Sequence, residues 1–273
     1  MEYSTILVTD DEGVRLVTFN RPERRNVFSL QLLAELNDAF RDADADAAIR
    51  AVVVTGAGTA FCAGLDTSED RDGFERDIDG LDELRAWKLD TPIIAAINGP
   101  AIGVGLTLPT QWDIRIVAED ATLSFAFNRL GLLPEAGAHW FLPRLVGAST
   151  AMDLLLTGRR FTGAEAATMG LAARAVPKDQ VLTEALAVAR DIADNVAPLS
   201  AAVTKRLLWD FQGVTDPAWA VDRENEILGW LGGKPDAREG VMAMVERRAA
   251  QWSGDKREVA PPTNLPGSTK VPL

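Results

Sequence analysis

Thr91-Pro92-Ile93-Ile94-Ala95-Ala96-Ile97-Asn98-Gly99-Pro100-Ala101-Ile102-Gly103-Val104-Gly105 is the stretch from which the rest of the chain can be read. Pro92 to Ile97 is an apolar run of strand length, bounded by turn residues. The glycines and proline that follow form a turn, and a helix is expected to begin near Gly105. A strand that passes through a glycine turn into a helix exposes unpaired backbone N–H groups at the positive end of the helix dipole, which is a place to bind an oxyanion. Downstream of the apolar residues Leu130 to Leu133, Leu133-Pro134-Glu135-Ala136-Gly137 sets a single carboxylate between a proline and a glycine. Glu135 is the candidate catalytic base.

The bulk properties narrow the classes of function. A chain of 273 residues, 47% hydrophobic, is long enough for a substantial core. The single cysteine, Cys62, excludes an intrachain disulfide, so nothing demands an oxidising compartment and a cytoplasmic protein is expected. The N-terminus does not look like a signal peptide, and no apolar run reaches membrane-spanning length. The net charge of −12 argues against a nucleic-acid partner. From Asp66 to Asp90 there are ten acidic and four basic residues, a local charge of 4 − 10 = −6. That acidic stretch, with Gly73 and Gly80, reads as a mobile flap between Thr67 and Lys88.

Strands are expected at Val14–Phe19, Ala51–Thr55, Ile93–Ile97 and Ile114–Ala118, with a first helix capped by Ser29 and a further one over Leu106–Gln111. Strand, helix and strand alternating at about 40-residue intervals indicate an α/β organisation with crossover connections. Beyond Ala148 helical periodicity dominates: 148–156, 163–169, 180–195, 199–209, 218–230 and 235–251. The expected division is residues 1–197 as an α/β core carrying the site, 198–252 as a helical region, and 253–273 as an extended tail.

Taken together, Phe61-Cys62-Ala63-Gly64-Leu65-Asp66 and Asn98 to Gly105 resemble the crotonase, or enoyl-CoA hydratase and isomerase, superfamily. Asn20-Arg21-Pro22-Glu23, the run from Arg50 to Gly56, Leu142 to Gly147 and Leu156-Thr157-Gly158-Arg159 follow in the same order, so the resemblance spans roughly Ile6 to Trp252. It implies a spiral of ββα units, a C-terminal α-helical trimerisation region, and a homotrimer or a hexamer of two trimers. The implied substrate is an acyl-CoA thioester, with coenzyme A a part of the substrate and no separate cofactor or metal.

By motif position the thioester oxygen would be held by the backbone amides of Leu65 and Val104, the latter at a place that many relatives fill with glycine. Arg24, Arg25, Ala63, Asp66 and Arg247 fall at coenzyme A-binding positions, and guanidinium groups suit phosphate. Hydratases of this superfamily use two glutamates, and their positions fall here on Thr107 and Phe127. Neither can exchange a proton near neutral pH. The remaining carboxylate, Glu135, matches the Pro-Glu-x-Gly context of the peroxisomal-type Δ3,Δ2-enoyl-CoA isomerases. Thr107, Phe127, Leu132 and Trp140 would line the acyl pocket.

Read from the residues alone, Glu135 is also consistent with an acid placed by the dipole of the following helix. The apolar neighbours are consistent with plain core, His139 with a local hydrogen-bonding residue, and Cys62 with a buried structural thiol. The leading expectation is isomerisation of a 3-enoyl-CoA. The alternatives are hydration, another crotonase reaction such as epoxide isomerisation or thioester hydrolysis, and a non-catalytic acyl-CoA-binding oligomer.

Overall fold

The computed structural model describes residues 3–65 and 85–258. Strand β1 (Ile6–Asp11) turns back through Glu12-Gly13 into β2 (Val14–Phe19), pairing Ile6 with Phe19 and Asp11 with Val14. From β2 the sheet is parallel, through β3 (Ala51–Gly56), β4 (Ile93–Ile97), β6 (Ile114–Ala118) and β9 (Arg174–Val176). The six-stranded order is β1-β2-β3-β4-β6-β9. A smaller sheet, β5-β7-β8, is built from β5 (Ala101–Ile102), β7 (Thr122–Ser124) and β8 (Phe161–Thr162).

The two sheets grow together. β4 enters the large sheet and β5 the small one, and β6 and β7 repeat the pattern, which is the winding of a ββα spiral. Parallel neighbours require a crossover, and α1 (Leu30–Ala45) supplies the one between β2 and β3. Its cap is the expected one: Ser29 Oγ accepts from Leu32 N–H at 3.2 Å. β3 and β4 are buried at every position, as their continuous apolar sequences require.

The later helices are α2 (Val104–Thr107), α3 (Ala138–Val146), α4 (Ala148–Thr157), α5 (Gly163–Thr168), α6 (Val181–Asn195), α7 (Pro198–Asp210), α8 (Pro217–Gly232) and α9 (Pro235–Glu246). The helix expected over 106–111 starts two residues earlier and tightens into a 3-10 turn at Leu108–Gln111, where Pro109 cannot donate a backbone bond. The last helix stops at Glu246 rather than continuing to Gln251, because Arg247 adopts a left-handed conformation at φ 53° and caps it. The tail expected from Ser253 is ordered at its start. Asp236 Oδ1 accepts from Ser253 N–H, and the buried Lys256 ammonium donates to Ala43 O, Ile49 O and Thr91 Oγ1. The remainder of that tail, and residues 67–84 of the expected flap, lie outside the described residues.

The N-terminal strand is held by a buried carboxylate that carries no chemistry. Glu35 of α1 accepts from Ser4 N–H and Oγ, from Thr5 N–H and Oγ1, and from Gln31 Nε2, all within 2.9 Å. Burial pushes this carboxyl upward, but the bonds from Thr5, Gln31 and Ser4 outweigh it and hold the pKa at about 2. A folded-state pKa below the unfolded one means that the contribution is present above the unfolded value and fades as pH falls towards 2. Glu35→Ala is therefore expected to cost about 2 kcal/mol at neutral pH by stranding buried donors, and to flatten the acid limb of unfolding, which a urea series between pH 3 and 7 would read.

Candidate active site

Two turns meet where β3 and β4 end. Phe61 and Cys62 N–H both donate to Pro100 O at 3.1 Å, and Ile102 N–H donates to Cys62 O at 3.0 Å, so the loop after β3 is laced to the loop after β4. Phe28 N–H donates to Gly64 O at 2.7 Å and holds that loop from the other side. Leu65 and Val104 are thereby placed at one junction, the first in the laced loop and the second at the head of α2. Among the described residues neither amide has an acceptor in the backbone network.

Glycine is required at two positions of this junction. Gly103 adopts φ 55° and ψ −123°, a conformation that a side chain strains, and it lets the chain turn sharply into α2. Val104 is then ordinary helix, so its side chain causes no conflict, and it is 5% exposed. Gly105 lies against Cys62: a Cβ there would stand 2.3 Å from Cys62 O and 2.7 Å from Cys62 Cβ. Cys62 itself is fully buried, and burial pushes its thiol up to about 12, so it is a structural thiol as expected.

Glu135 is brought to the same helix. Thr107 Oγ1, one turn below Val104, donates to Glu135 Oε1 at 2.5 Å. Gln111 Nε2, one turn further, donates to Ala136 O at 2.7 Å and fixes a turn in which Ala136 sits at φ 55°. Glu135 Oε2 is buried and has no partner among the described residues. Burial raises the Glu135 pKa above the ordinary carboxylate value, and the Thr107 bond opposes that rise. A carboxylate desolvated in this way is suited to take a proton from carbon.

The remaining candidates divide into two groups. Phe127 lies against the Gly103 turn, with its ring about 3.6 Å from the place a Cβ on Gly103 would occupy. Leu132 is partly buried and joined to it through Leu132 N–H to Phe127 O. Trp140 is 40% exposed and belongs to a wall that sequence reading missed in part: Phe141, Trp209 of α7 and Trp87 share ring contacts with it or with each other at 4.8–6.5 Å. Phe141 packs on Gly137, two residues from Glu135.

Arg24 and Arg25 are exposed on a short turn whose Arg25 O accepts from Ala63 N–H, so the basic turn and Ala63 are neighbours. Asn26 was missed. It is fully buried, its Nδ2 donates to Ala57 O and Ala60 O, and its Oδ1 accepts from Arg21 N–H, which pins the basic turn to the loop after β3. No signal in the sequence marks it, because its role rests on burial and on bonds to a loop more than 30 residues away that only the fold brings together. Arg247 is not helical as expected but a helix cap, and among the described residues no bond brings it to this site. Asp66 lies outside the described residues.

Comparison with known proteins gives a matching family and several relatives. The sequence profile of the enoyl-CoA hydratase/isomerase family matches residues 9–256. The probable enoyl-CoA hydratase echA8 of Mycobacterium tuberculosis is 35% identical over 257 residues, covering 93% of this chain and 99% of the relative. The 1,2-epoxyphenylacetyl-CoA isomerase of Escherichia coli K12 is 33% identical over 260 residues, covering 91% and 98%. Among solved structures, a probable enoyl-CoA hydratase/isomerase from Mycobacterium abscessus superposes with a TM-score of 0.87 at 42% identity, over 92% of this chain and 99% of that one.

Proposed function

The chain belongs to the enoyl-CoA hydratase/isomerase family, the crotonase superfamily, and on that premise we propose that it isomerises a 3-enoyl-CoA to the 2-enoyl-CoA. The observation that carries this is one half-buried carboxylate: Glu135 Oε1 accepts from Thr107 of α2 and its Oε2 is buried with no partner among the described residues, whereas Thr107 and Phe127 fall where the resemblance puts a hydratase pair. A double-bond shift needs one group that accepts and returns a proton, while hydration divides the work between two.

Glu135 removes the proton from C2 of the substrate. The electron pair moves into the thioester as a dienolate, whose oxygen is stabilised by the Leu65 and Val104 amides. The protonated Glu135 then gives the same proton to C4, and the carbonyl re-forms with the double bond between C2 and C3. The apolar surroundings, Phe127 and Leu132 among them, keep water from the dienolate. Arg24 and Arg25 would meet the coenzyme A phosphates, and no cofactor beyond the substrate is required.

Hydration is the second reading, since several relatives carry the hydratase name. Incubation with 3-hexenoyl-CoA and, separately, with crotonyl-CoA distinguishes the two. Formation of the conjugated thioester from the first without hydration of the second supports the proposal. Rapid hydration of crotonyl-CoA with no action on 3-hexenoyl-CoA would overturn it, and binding without turnover would favour a non-catalytic acyl-CoA-binding role.

A homotrimer, or a hexamer of two trimers, is proposed as the assembly. α9 leaves Val241, Met244 and Val245 more than half exposed, an apolar face of the kind that associates. Light scattering after size exclusion tests it. Among the described residues no helix is long and apolar enough to cross a membrane, and a cytoplasmic location is proposed.

A further inference from the structure

We propose that Thr107 is the positioning residue of the base: by holding Oε1 it leaves Oε2 as the one oxygen of Glu135 that takes and returns the proton. This rests on the reading of Glu135 as the base.

The helical segment from Val104 to Gln111 does two jobs with one face. Val104, Thr107 and Gln111 follow at i, i+3 and i+7, a spacing that stacks side chains along a single stripe. The first presents the oxyanion amide. The second donates to Glu135 Oε1 at 2.5 Å, and the third donates to Ala136 O at 2.7 Å. Thr107 and Val104 are separated by about 4.5 Å of helix rise, so the distance between the dienolate oxygen's site and the base is set within one rigid turn. A base carried on an irregular loop with a positive φ at Ala136 has no such rigidity of its own.

The hydroxyl assigns the two carboxylate oxygens. Thr107 is 0% exposed, and among the described residues its Oγ1 reaches, apart from Glu135, only Gly103 O, at 3.4 Å, so its proton is committed to Oε1. An oxygen that already accepts a hydrogen bond in a buried setting is the poorer base of the two. Oε2 accepts nothing from the described residues. When Oε2 carries the proton, Oε1 remains a carbonyl acceptor, so the Thr107 bond survives both halves of the reaction. It is stronger to the anion than to the acid, and therefore opposes the upward push of burial on Glu135. Thr107 thus stands at the place of a hydratase glutamate without supplying a second base.

The test uses Thr107→Val, which keeps the shape and loses the donor, Thr107→Ser, which keeps the donor, and Glu135→Gln, each assayed on 3-hexenoyl-CoA across pH with unfolding monitored. Thr107→Val is expected to lower kcat on the order of 10²-fold with KM within about twofold, and to move the acid limb of the kcat profile upward, because burial then acts unopposed. Thr107→Ser is expected to retain kcat within about threefold and the original limb. Should the valine variant fold poorly, Thr107→Ala must show the same upward limb. Wild-type kcat and an unmoved limb in the donor-less variants, beside an inactive Glu135→Gln, would overturn the role of Thr107 and leave the base intact. An active Glu135→Gln would overturn both.

Discussion

Glu135→Gln is expected to lower turnover of 3-hexenoyl-CoA by on the order of 10³-fold while leaving KM within a few-fold. The reason is chemical: the amide keeps the size of the side chain and can still accept from Thr107, but it has no basic oxygen to receive the C2 proton. Two further readouts follow from the same carboxyl. Its folded pKa is raised, chiefly by burial, so in the parent enzyme kcat/KM should fall on the acid side with a limb above the ordinary carboxylate range. A raised folded-state pKa also means that the ionised group costs stability, and that this cost grows as pH rises from the unfolded pKa through the folded one. Removing the charge should therefore stabilise the protein at neutral pH. A variant that is both inactive and more resistant to thermal unfolding would support a functional carboxylate kept against stability; one that is inactive and destabilised would point to a structural role.

Gly105→Ala is expected to have the next largest effect, a loss in kcat on the order of 10²- to 10³-fold together with about 1–3 kcal/mol of destabilisation. The added methyl would meet Cys62 O at 2.3 Å and Cys62 Cβ at 2.7 Å, backbone and near-backbone atoms that cannot rotate away. Relief requires the loop after β3 and the head of α2 to separate, which moves Leu65 and Val104 apart. Gly229, on α8, has nothing within 4 Å of the same added atom, so Gly229→Ala is the control and should be neutral or slightly stabilising. If Gly105→Ala folds and turns over at the parent rate, the close approach of the two turns is not what places the amides.

Much of the core was legible because its signals are local and repeated. β2, β4 and β6 lie where the apolar runs Val14–Phe19, Ile93–Ile97 and Ile114–Ala118 put them, and Ser29 caps α1 as its hydroxyl and spacing indicate. The small sheet was not legible: β5, β7 and β8 are two or three residues long, too short for any period to emerge. The end of α9 was misread because Arg247 carries no mark of a left-handed cap, a conformation usually given to glycine or asparagine.

What the sequence determined by itself is the α/β class, the glycine turn that opens α2, and the absence of a carboxylate at Thr107 and Phe127 beside its presence at Glu135. Each of these is a property of residue type and order along the chain. Only the tertiary structure decided that Thr107 grips Glu135, that Gln111 holds Ala136, that Asn26 anchors the basic turn, and that Trp87 and Trp209 join Trp140. These pairs lie from 25 to 122 residues apart, and those on strand connections meet because parallel strands deliver their connecting loops to the same end of the sheet. The glycine turn and the lone glutamate were visible in the chain as two separate features, and the helix from Val104 to Gln111 is what makes them one site.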